Sequence, residues 1–209
     1  SVAMWEQVTA TLHRLGPDGD VRAIVLTAAG ERAFSAGADV RESKGFTAEQ
    51  EAHRQDVVHA GLLSVWNVPV PLICAVTAPA VGGGLNITTL CDYRIAASTA
   101  TFALPEIRHG RAGGGGLFLR RIGVPAGTVS AMLFTGRSLT AAQALAVHLV
   151  DEVVEPAELA SAAHALAAQM AAHSRAALCA TKRAVRAAEP GDWTEGYRAA
   201  SAAVDGRGG

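Results

Sequence analysis

The sequence contains little of what marks disulfide-stabilised, zinc-binding or membrane-spanning proteins. Three cysteines are spread over 209 residues with no CxxC pair, which argues against a disulfide framework and predicts a reducing, cytoplasmic environment. The seven histidines form no HExxH motif, so no metal site is predicted. No stretch reaches the ~18 uncharged apolar residues that a membrane helix requires. Because the sequence begins at Ser1, it leaves open whether a targeting segment precedes it.

The sequence also has no large excess of positive or negative charge. The 18 lysine and arginine residues are balanced by 19 aspartate and glutamate residues, which gives a net charge of −1. Nucleic-acid-binding proteins usually carry a basic surplus, so we expect no nucleic-acid partner. Half of the residues are hydrophobic and 18% are charged, which is typical of a globular protein with its own core.

Buried strands alternate with small-residue loops and helices through most of the chain. Residues 72–76 (LICAV) are apolar throughout, as expected for a strand covered on both faces of a parallel sheet. Further strands are predicted over residues 21–27, 92–97 and 101–104, and helices over residues 1–15, 48–65 and from 83 onward. This order predicts an α/β fold with a largely parallel sheet. The later sequence is alanine-rich and helical, so we divide the chain into a core at 1–155 and a helical C-terminal region at 156–209.

Two loops of very small side chains each follow a buried strand. They are residues 33–39 (AFSAGAD) and residues 80–86 (AVGGGLN). Ligands of open α/β sheets bind at the carboxyl ends of strands, and small side chains let a ligand lie against the backbone. The N–H groups of Ala38 and Gly83, one from each loop, therefore form a candidate oxyanion hole. Taken alone, the triple glycine is more typical of a tight turn than of a site.

A carboxylate follows a third predicted strand. Glu106 comes directly after Pro105 at the end of FALPE, and a glycine-rich stretch lies just beyond it. An isolated carboxylate in such a loop is usually exposed or caps a helix. Beside two small-residue loops, Glu106 becomes a candidate general base.

The segments AFSAGADVRE, AVGGGLNITTLCDYRIA and FALPEIRHG, in this order, resemble the crotonase (enoyl-CoA hydratase/isomerase) superfamily, and the resemblance extends over nearly the whole chain. It implies a crotonase-like spiral of ββα units, with C-terminal helices that assemble homotrimers, often paired into hexamers. It also implies that the family's first strands and last helical segment lie outside these 209 residues. The implied substrate is an acyl-CoA or enoyl-CoA thioester, with no separate cofactor.

The resemblance also assigns residues to the thioester. Its carbonyl oxygen would accept hydrogen bonds from the main-chain N–H groups that match Ala38 and Gly83. Arg41 stands where the family often has a lysine near the CoA phosphates. The positions that match the family's contacts with adenine and pantetheine are Ala36, Ala38, Asp39 and Val40.

One residue departs from the pattern of the family's hydratases, which use two glutamates. Glu106 matches the second of these, but Asn86 occupies the position of the first. An amide does not exchange a proton near neutral pH, whereas moving a double bond requires a single base. Glu106 and Asn86, the two catalytic positions, therefore favour enoyl-CoA isomerisation. Hydration with Asn86 orienting a water, and a CoA-thioester-binding scaffold with little catalysis, stay open as alternatives.

Two other enzyme classes fit less well. A dinucleotide site would need a third glycine where Ile87 stands. A serine hydrolase would need a GxSxG motif, which the sequence does not contain.

Overall fold

The computed structural model describes residues 1–39, 42, 44–110, 113–189 and 194 of the chain. Within these residues the helices are α1 (Val2–Leu15), α2 (Ala48–Asn67), α3 (Gly83–Leu90), α4 (Gly116–Arg121), α5 (Ala126–Thr135), α6 (Ala141–Ala146), α7 (Leu159–Ala171) and α8 (Arg175–Ala187). The strands are β1 (Ile24–Thr27), β2 (Leu72–Val76), β3 (Ala80–Val81), β4 (Tyr93–Ala97), β5 (Thr101–Ala103), β6 (Ser138–Thr140) and β7 (Glu152–Val154). Short 3₁₀ turns lie at Glu106–His109 and Pro156–Glu158.

The larger sheet has four parallel strands in the order β1-β2-β4-β7, which confirms the predicted α/β class. Strand β2 occupies the predicted residues 72–76, and every residue in it is buried. Strand β1 is shorter than predicted, since it begins only at Ile24, and β7 is a strand of three residues, Glu152–Val154. Both lie at the edges of the sheet, where a strand has a neighbour on one side alone.

Alternate residues of β2 face two separate hydrophobic layers. Cys74 and Val76 belong to the larger core, which also contains buried residues of α1, α2 and α3. Ile73 and Ala75 pack instead with Leu159 and its neighbours in α7. Helix α7, which lies beyond the predicted boundary at residue 155, thus covers one face of the sheet. The division of the chain into two regions stays a prediction.

A smaller sheet positions the two small-residue loops. Strand β3 pairs in parallel with β5, and β5 pairs antiparallel with β6. The sequence predicts residues 77–82 as loop throughout, but Ala80 and Val81 form β3 because β5 offers them a partner. Ser35 forms an isolated parallel bridge with Ala80. The loop at 33–39 is therefore joined to the same sheet.

Candidate active site

The two small-residue loops lie side by side. The Val81 N–H donates to the Ser35 carbonyl at 2.9 Å, and the Ser35 N–H donates to the Pro79 carbonyl at 3.2 Å. Gly37 has a φ of +89°, and a Cβ atom there would lie 3.1 Å from the Val81 carbonyl oxygen. Glycine adopts this left-handed backbone without steric cost and leaves room for the neighbouring loop. The backbone pairing thus places the two loops in direct contact.

The predicted oxyanion donors, Ala38 and Gly83, line one cleft of about 70 Å³, which Ser35, Gly37 and Gly84 also border. Gly83 is the first residue of α3, and a Cβ atom built on it would meet nothing within 4 Å. Among the described residues, neither N–H group donates to another protein group. The first N–H groups of a helix have no acceptor inside the helix. Both groups are therefore available to an acceptor that enters the cleft.

The Glu106 carboxylate lies beside the start of α3. Glu106 begins the 3₁₀ turn that follows β5, and it is half-buried. A Cβ atom on Gly82, the residue before Gly83, would lie 3.0 Å from Glu106 Oε1, and a Cβ atom on Gly113 would lie 3.5 Å from Oε2. Gly82 donates its N–H to the Ala103 carbonyl at 2.9 Å. This hydrogen bond joins the start of α3 to the strand that leads to Glu106.

Asn86 lies one turn along α3, where its N–H donates to the Gly82 carbonyl at 3.1 Å. Its side-chain Oδ1 is buried and accepts no hydrogen bond from any described residue. A Cβ atom on Gly115 would lie 2.7 Å from this oxygen. Glu106 and Asn86 therefore border the same glycine-rich segment, at Gly113 and Gly115. Buried polar groups are usually hydrogen-bonded, so this oxygen is a candidate acceptor for a donor on the substrate.

Ser35 has no role in the prediction from sequence, but it lies between the two loops. Its Oγ accepts a hydrogen bond from the Gly37 N–H at 3.3 Å. A Cβ atom on Gly84 would lie 2.3 Å from Ser35 Cβ and 2.6 Å from Ser35 Oγ. The third glycine of the run, Gly84, therefore has to lack a side chain, because Ser35 on the neighbouring loop occupies the space that a Cβ atom would take. The one signal in the sequence is the small size of both residues.

Of the remaining predicted substrate contacts, the structure describes Ala36 and Asp39. Ala36, Ala38 and Asp39 are exposed, and Asp39 lines the cleft. Small exposed side chains leave the main chain accessible to a ligand. Val40 and Arg41 lie outside the described residues, so the CoA contacts expected of them stay predictions.

A larger cavity, lined by described residues, lies away from these loops. Its volume is about 820 Å³, and its lining includes Leu178, Val185 and Arg186 of α8 together with Arg121 of α4. Large cavities are the usual candidates for ligand sites, so this cavity would be preferred if volume were the only criterion. None of the predicted catalytic or substrate-binding residues lines it. We therefore place the candidate active site at the smaller cleft, which Ala38 and Gly83 line. Glu106 and Asn86 do not line this cleft; the Glu106 carboxylate lies beside Gly82 at the start of α3, and Asn86 lies one turn along the helix.

Among the residues that the structure describes, no group of three or more His, Cys, Asp or Glu side chains is arranged to hold a metal ion. No described helix combines the length and the apolarity that crossing a membrane demands.

Comparisons with known proteins place this geometry in a family. A family model described as enoyl-CoA hydratase/isomerase matches residues 1–204. A carnitinyl-CoA dehydratase of Salmonella arizonae is 38% identical over 186 residues, which cover 87% of this chain and 69% of that protein. An enoyl-CoA hydratase structure from Bacillus anthracis superimposes with a TM-score of 0.85 at 31% identity, over 99% of this chain and 81% of the other. An enoyl-CoA hydratase/carnithine racemase structure from Magnetospirillum magneticum gives a TM-score of 0.83 at 29% identity, over 89% and 71% of the two chains. The chain therefore belongs to the enoyl-CoA hydratase/isomerase family and has the crotonase fold.

Proposed function

We propose that this protein is an acyl-CoA enzyme in which Glu106 moves a proton on a thioester whose carbonyl oxygen is held by the N–H groups of Ala38 and Gly83. The observation that carries the proposal is the position of Glu106 Oε1, which lies 3.0 Å from the Cβ position of Gly82 and therefore beside the start of α3. Ala38 and Gly83 border a common cleft. Membership of the family supports a CoA thioester as the substrate class.

Charge stabilisation explains why a half-buried carboxylate suffices as the base. Removing a proton beside a thioester carbonyl produces an enolate, and much of its negative charge lies on the carbonyl oxygen. Each main-chain donor to such an oxygen lowers the barrier by on the order of 3 kcal/mol. The first N–H groups of α3 also lie at the positive end of the helix dipole, which favours an anion there.

Isomerisation needs only this base and the two donors. Glu106 would remove a proton from the carbon next to the carbonyl group of a 3-enoyl-CoA and return it two carbons further along. The product is a 2-enoyl-CoA, in which the double bond is conjugated with the thioester. Asn86 cannot share the proton transfer, because an amide does not ionise near neutral pH. The single-base site therefore favours isomerisation as the reaction.

The relatives support hydration or dehydration as a second candidate. Relatives that are 36% and 38% identical to this chain are named carnitinyl-CoA dehydratases. In this chain, the buried Asn86 Oδ1 accepts no hydrogen bond from any described residue and would hold the water. In hydration, Glu106 would take one proton from this water as the water oxygen bonds to C3, and would deliver a proton to C2; dehydration reverses these steps.

One absorbance assay distinguishes the two reactions. The purified protein is mixed separately with trans-3-enoyl-CoA and trans-2-enoyl-CoA, and the absorbance of the conjugated thioester is followed. Isomerisation raises this absorbance with the first substrate and leaves the second unchanged. Rapid loss of the 2-enoyl ester would contradict the argument from Asn86 and support hydration. No change with either substrate, combined with binding of CoA esters, would support the scaffold alternative.

The role of Glu106 is tested by Glu106→Gln. We expect kcat to fall by about 10²- to 10⁴-fold, because the base is lost while the two main-chain donors remain. Glu158→Gln removes the same charge from an exposed residue that does not line the cleft, and it is the matched control. Equal turnover by both variants would contradict the proposal.

The homotrimer or hexamer implied by the resemblance stays a prediction. Sedimentation velocity of the purified protein measures the mass of the assembly, and a monomer would contradict this expectation.

A further inference from the structure

Two arginine side chains from other helices bind the C-terminal end of α3. Helix α3 has no basic residue in its own last turn. Arg186 Nη2 of α8 donates to the Leu90 carbonyl at 3.0 Å, and Arg121 Nη2 of α4 donates to the Thr89 carbonyl. The last carbonyl groups of a helix have no partner inside it. The two guanidinium groups therefore act as a C-terminal cap supplied from elsewhere in the fold.

Both guanidinium groups are fixed by further contacts. Their Cζ atoms lie over the Trp66 ring, at 4.6 Å from its centroid for Arg121 and 3.5 Å for Arg186. Glu189 accepts from Arg121 at 2.6 Å and from Arg186 at 3.3 Å. The two side chains are only 11% and 14% exposed. Burial lowers the pKa of Arg121 from its usual value, and Glu189 opposes this shift.

Among the described residues, the ion pairs around this end of α3 contain more cations than carboxylates. The paired cations are Arg94, Arg121, Lys182 and Arg186, and the paired carboxylates are Asp92, Asp151 and Glu189. Four cations against three carboxylates leave one unit of positive charge. Positive charge at a helix C-terminus complements the negative end of the helix dipole. The two ends of an eight-residue helix are about 12 Å apart.

Helix α3 has low intrinsic stability, so its position depends on its surroundings. It begins with Gly83 and Gly84, and each glycine costs about 1 kcal/mol relative to alanine. Thr88 and Thr89 are also poor helix formers. The N-cap residue, Gly82, provides no side-chain hydrogen bond. The arginine cap binds the end of α3 opposite to Gly83.

We propose that Arg121 and Arg186 are positioning residues, which hold α3 so that the Gly83 N–H faces the cleft and which strengthen the electric field at this N–H. The inference rests on the proposed function of Gly83 as an oxyanion donor. Loss of either charge lowers turnover more than affinity, because the field acts on charge that develops in the transition state.

Charge removal at each position has a matched control on the same helix. Arg186→Gln is compared with Arg183→Gln, and Arg121→Gln with Arg120→Gln, because both control positions are exposed. We expect kcat to fall about sixfold in each test variant, which is the effect of one unit charge at about 15 Å in an effective dielectric constant of about 20. KM stays close to the wild-type value, and both controls behave as wild type. Equal kcat in test and control variants would overturn the inference.

A bound chromophoric thioester provides a readout that loss of stability does not produce. The absorbance band of a dienoyl-CoA moves to longer wavelength when its carbonyl oxygen is polarised. We expect a smaller displacement of this band in Arg186→Gln than in Arg183→Gln, at saturating ligand and well below the unfolding temperature. Arg186→Lys keeps the charge and restores most of the displacement. An undiminished displacement in the test variants would overturn the inference.

The outcomes also distinguish this inference from the proposed function. If Arg186→Gln does not fold, the inference is tested by the positions of the absorbance band in Arg186→Lys and Arg121→Gln. If the wild-type protein polarises the bound thioester but turns over no enoyl-CoA, the proposed function is contradicted. The band positions of the variants would still test whether Arg121 and Arg186 act as positioning residues. If the wild-type protein turns over substrate, and Arg121→Gln and Arg186→Gln have the same kcat as wild type, the proposed function is supported and the positioning role of the two arginines is overturned.

Discussion

Replacing Gly84 by alanine is expected to push apart the two loops of the candidate site. The new Cβ atom would lie 2.3 Å from Ser35 Cβ, 2.6 Å from its Oγ and 3.1 Å from its carbonyl oxygen. The Ser35 backbone cannot rotate away, because its carbonyl and N–H are hydrogen-bonded to Val81 and Pro79 at 2.9 and 3.2 Å. Relief therefore requires one loop to move relative to the other.

Two opposing effects set the size of the change in the free energy of unfolding. Alanine is favoured over glycine in a helix by about 1 kcal/mol, whereas overpacking of a close contact costs about 1 to 3 kcal/mol. Because the contact involves a Cβ atom and backbone, we expect the upper part of this range and a net loss of about 1 to 2 kcal/mol. Gly127→Ala in α5 is the matched control, since a Cβ atom there meets nothing within 4 Å. This control is expected to gain up to about 1 kcal/mol.

Urea unfolding measures both free energies, and enoyl-CoA turnover reports on the cleft. A displacement of about 1 Å between catalytic groups costs about 10²-fold in rate, so Gly84→Ala should lose most of its turnover. Ser35→Gly removes the colliding Cβ atom, and in the double variant the two substitutions should be coupled by at least about 0.5 kcal/mol. Equal stability and turnover in Gly84→Ala and Gly127→Ala would refute the contact between the loops.

Three further predictions concern other positions. Asn86→Glu supplies the second carboxylate and should raise the hydration rate of 2-enoyl-CoA by on the order of tenfold or more. An unchanged rate of 2-enoyl-CoA loss would argue against a role for this position in proton transfer. Gly61→Ala should lower the free energy of unfolding in urea by about 1 to 3 kcal/mol, because the new Cβ atom would lie 2.1 Å from Trp5 Cε3; a midpoint equal to that of wild type would contradict this packing. Burial raises the pKa of the Cys74 thiol well above its usual value, so iodoacetamide at pH about 9 should leave Cys74 unlabelled in the native protein and label it in urea. Rapid labelling of the native protein, located by peptide mass spectrometry, would show that the thiol is accessible.

Elements that a local sequence pattern indicates are predicted accurately, whereas elements that depend on contacts with distant parts of the chain are not. Strand β2 was predicted residue for residue, because five consecutive apolar side chains indicate a strand buried on both faces. Strand β3 was missed, because its two residues form a strand only through pairing with β5 and the bridge to Ser35. The 3₁₀ turn that begins at Glu106 was predicted only as loop, since one turn leaves no periodic pattern in the sequence.

The sequence is enough to indicate which loops and which residue types are candidates for the chemistry, because small side chains after buried strands and a carboxylate after a proline are local patterns. It also sufficed for the family, through three ordered segments. Three contacts become apparent in the folded chain alone: Glu106 lies beside Gly82, Gly84 packs against Ser35, and Arg121 and Arg186 cap α3. These contacts join residues that are distant in the chain, and their geometry follows from sheet pairing and close packing, which no single segment specifies.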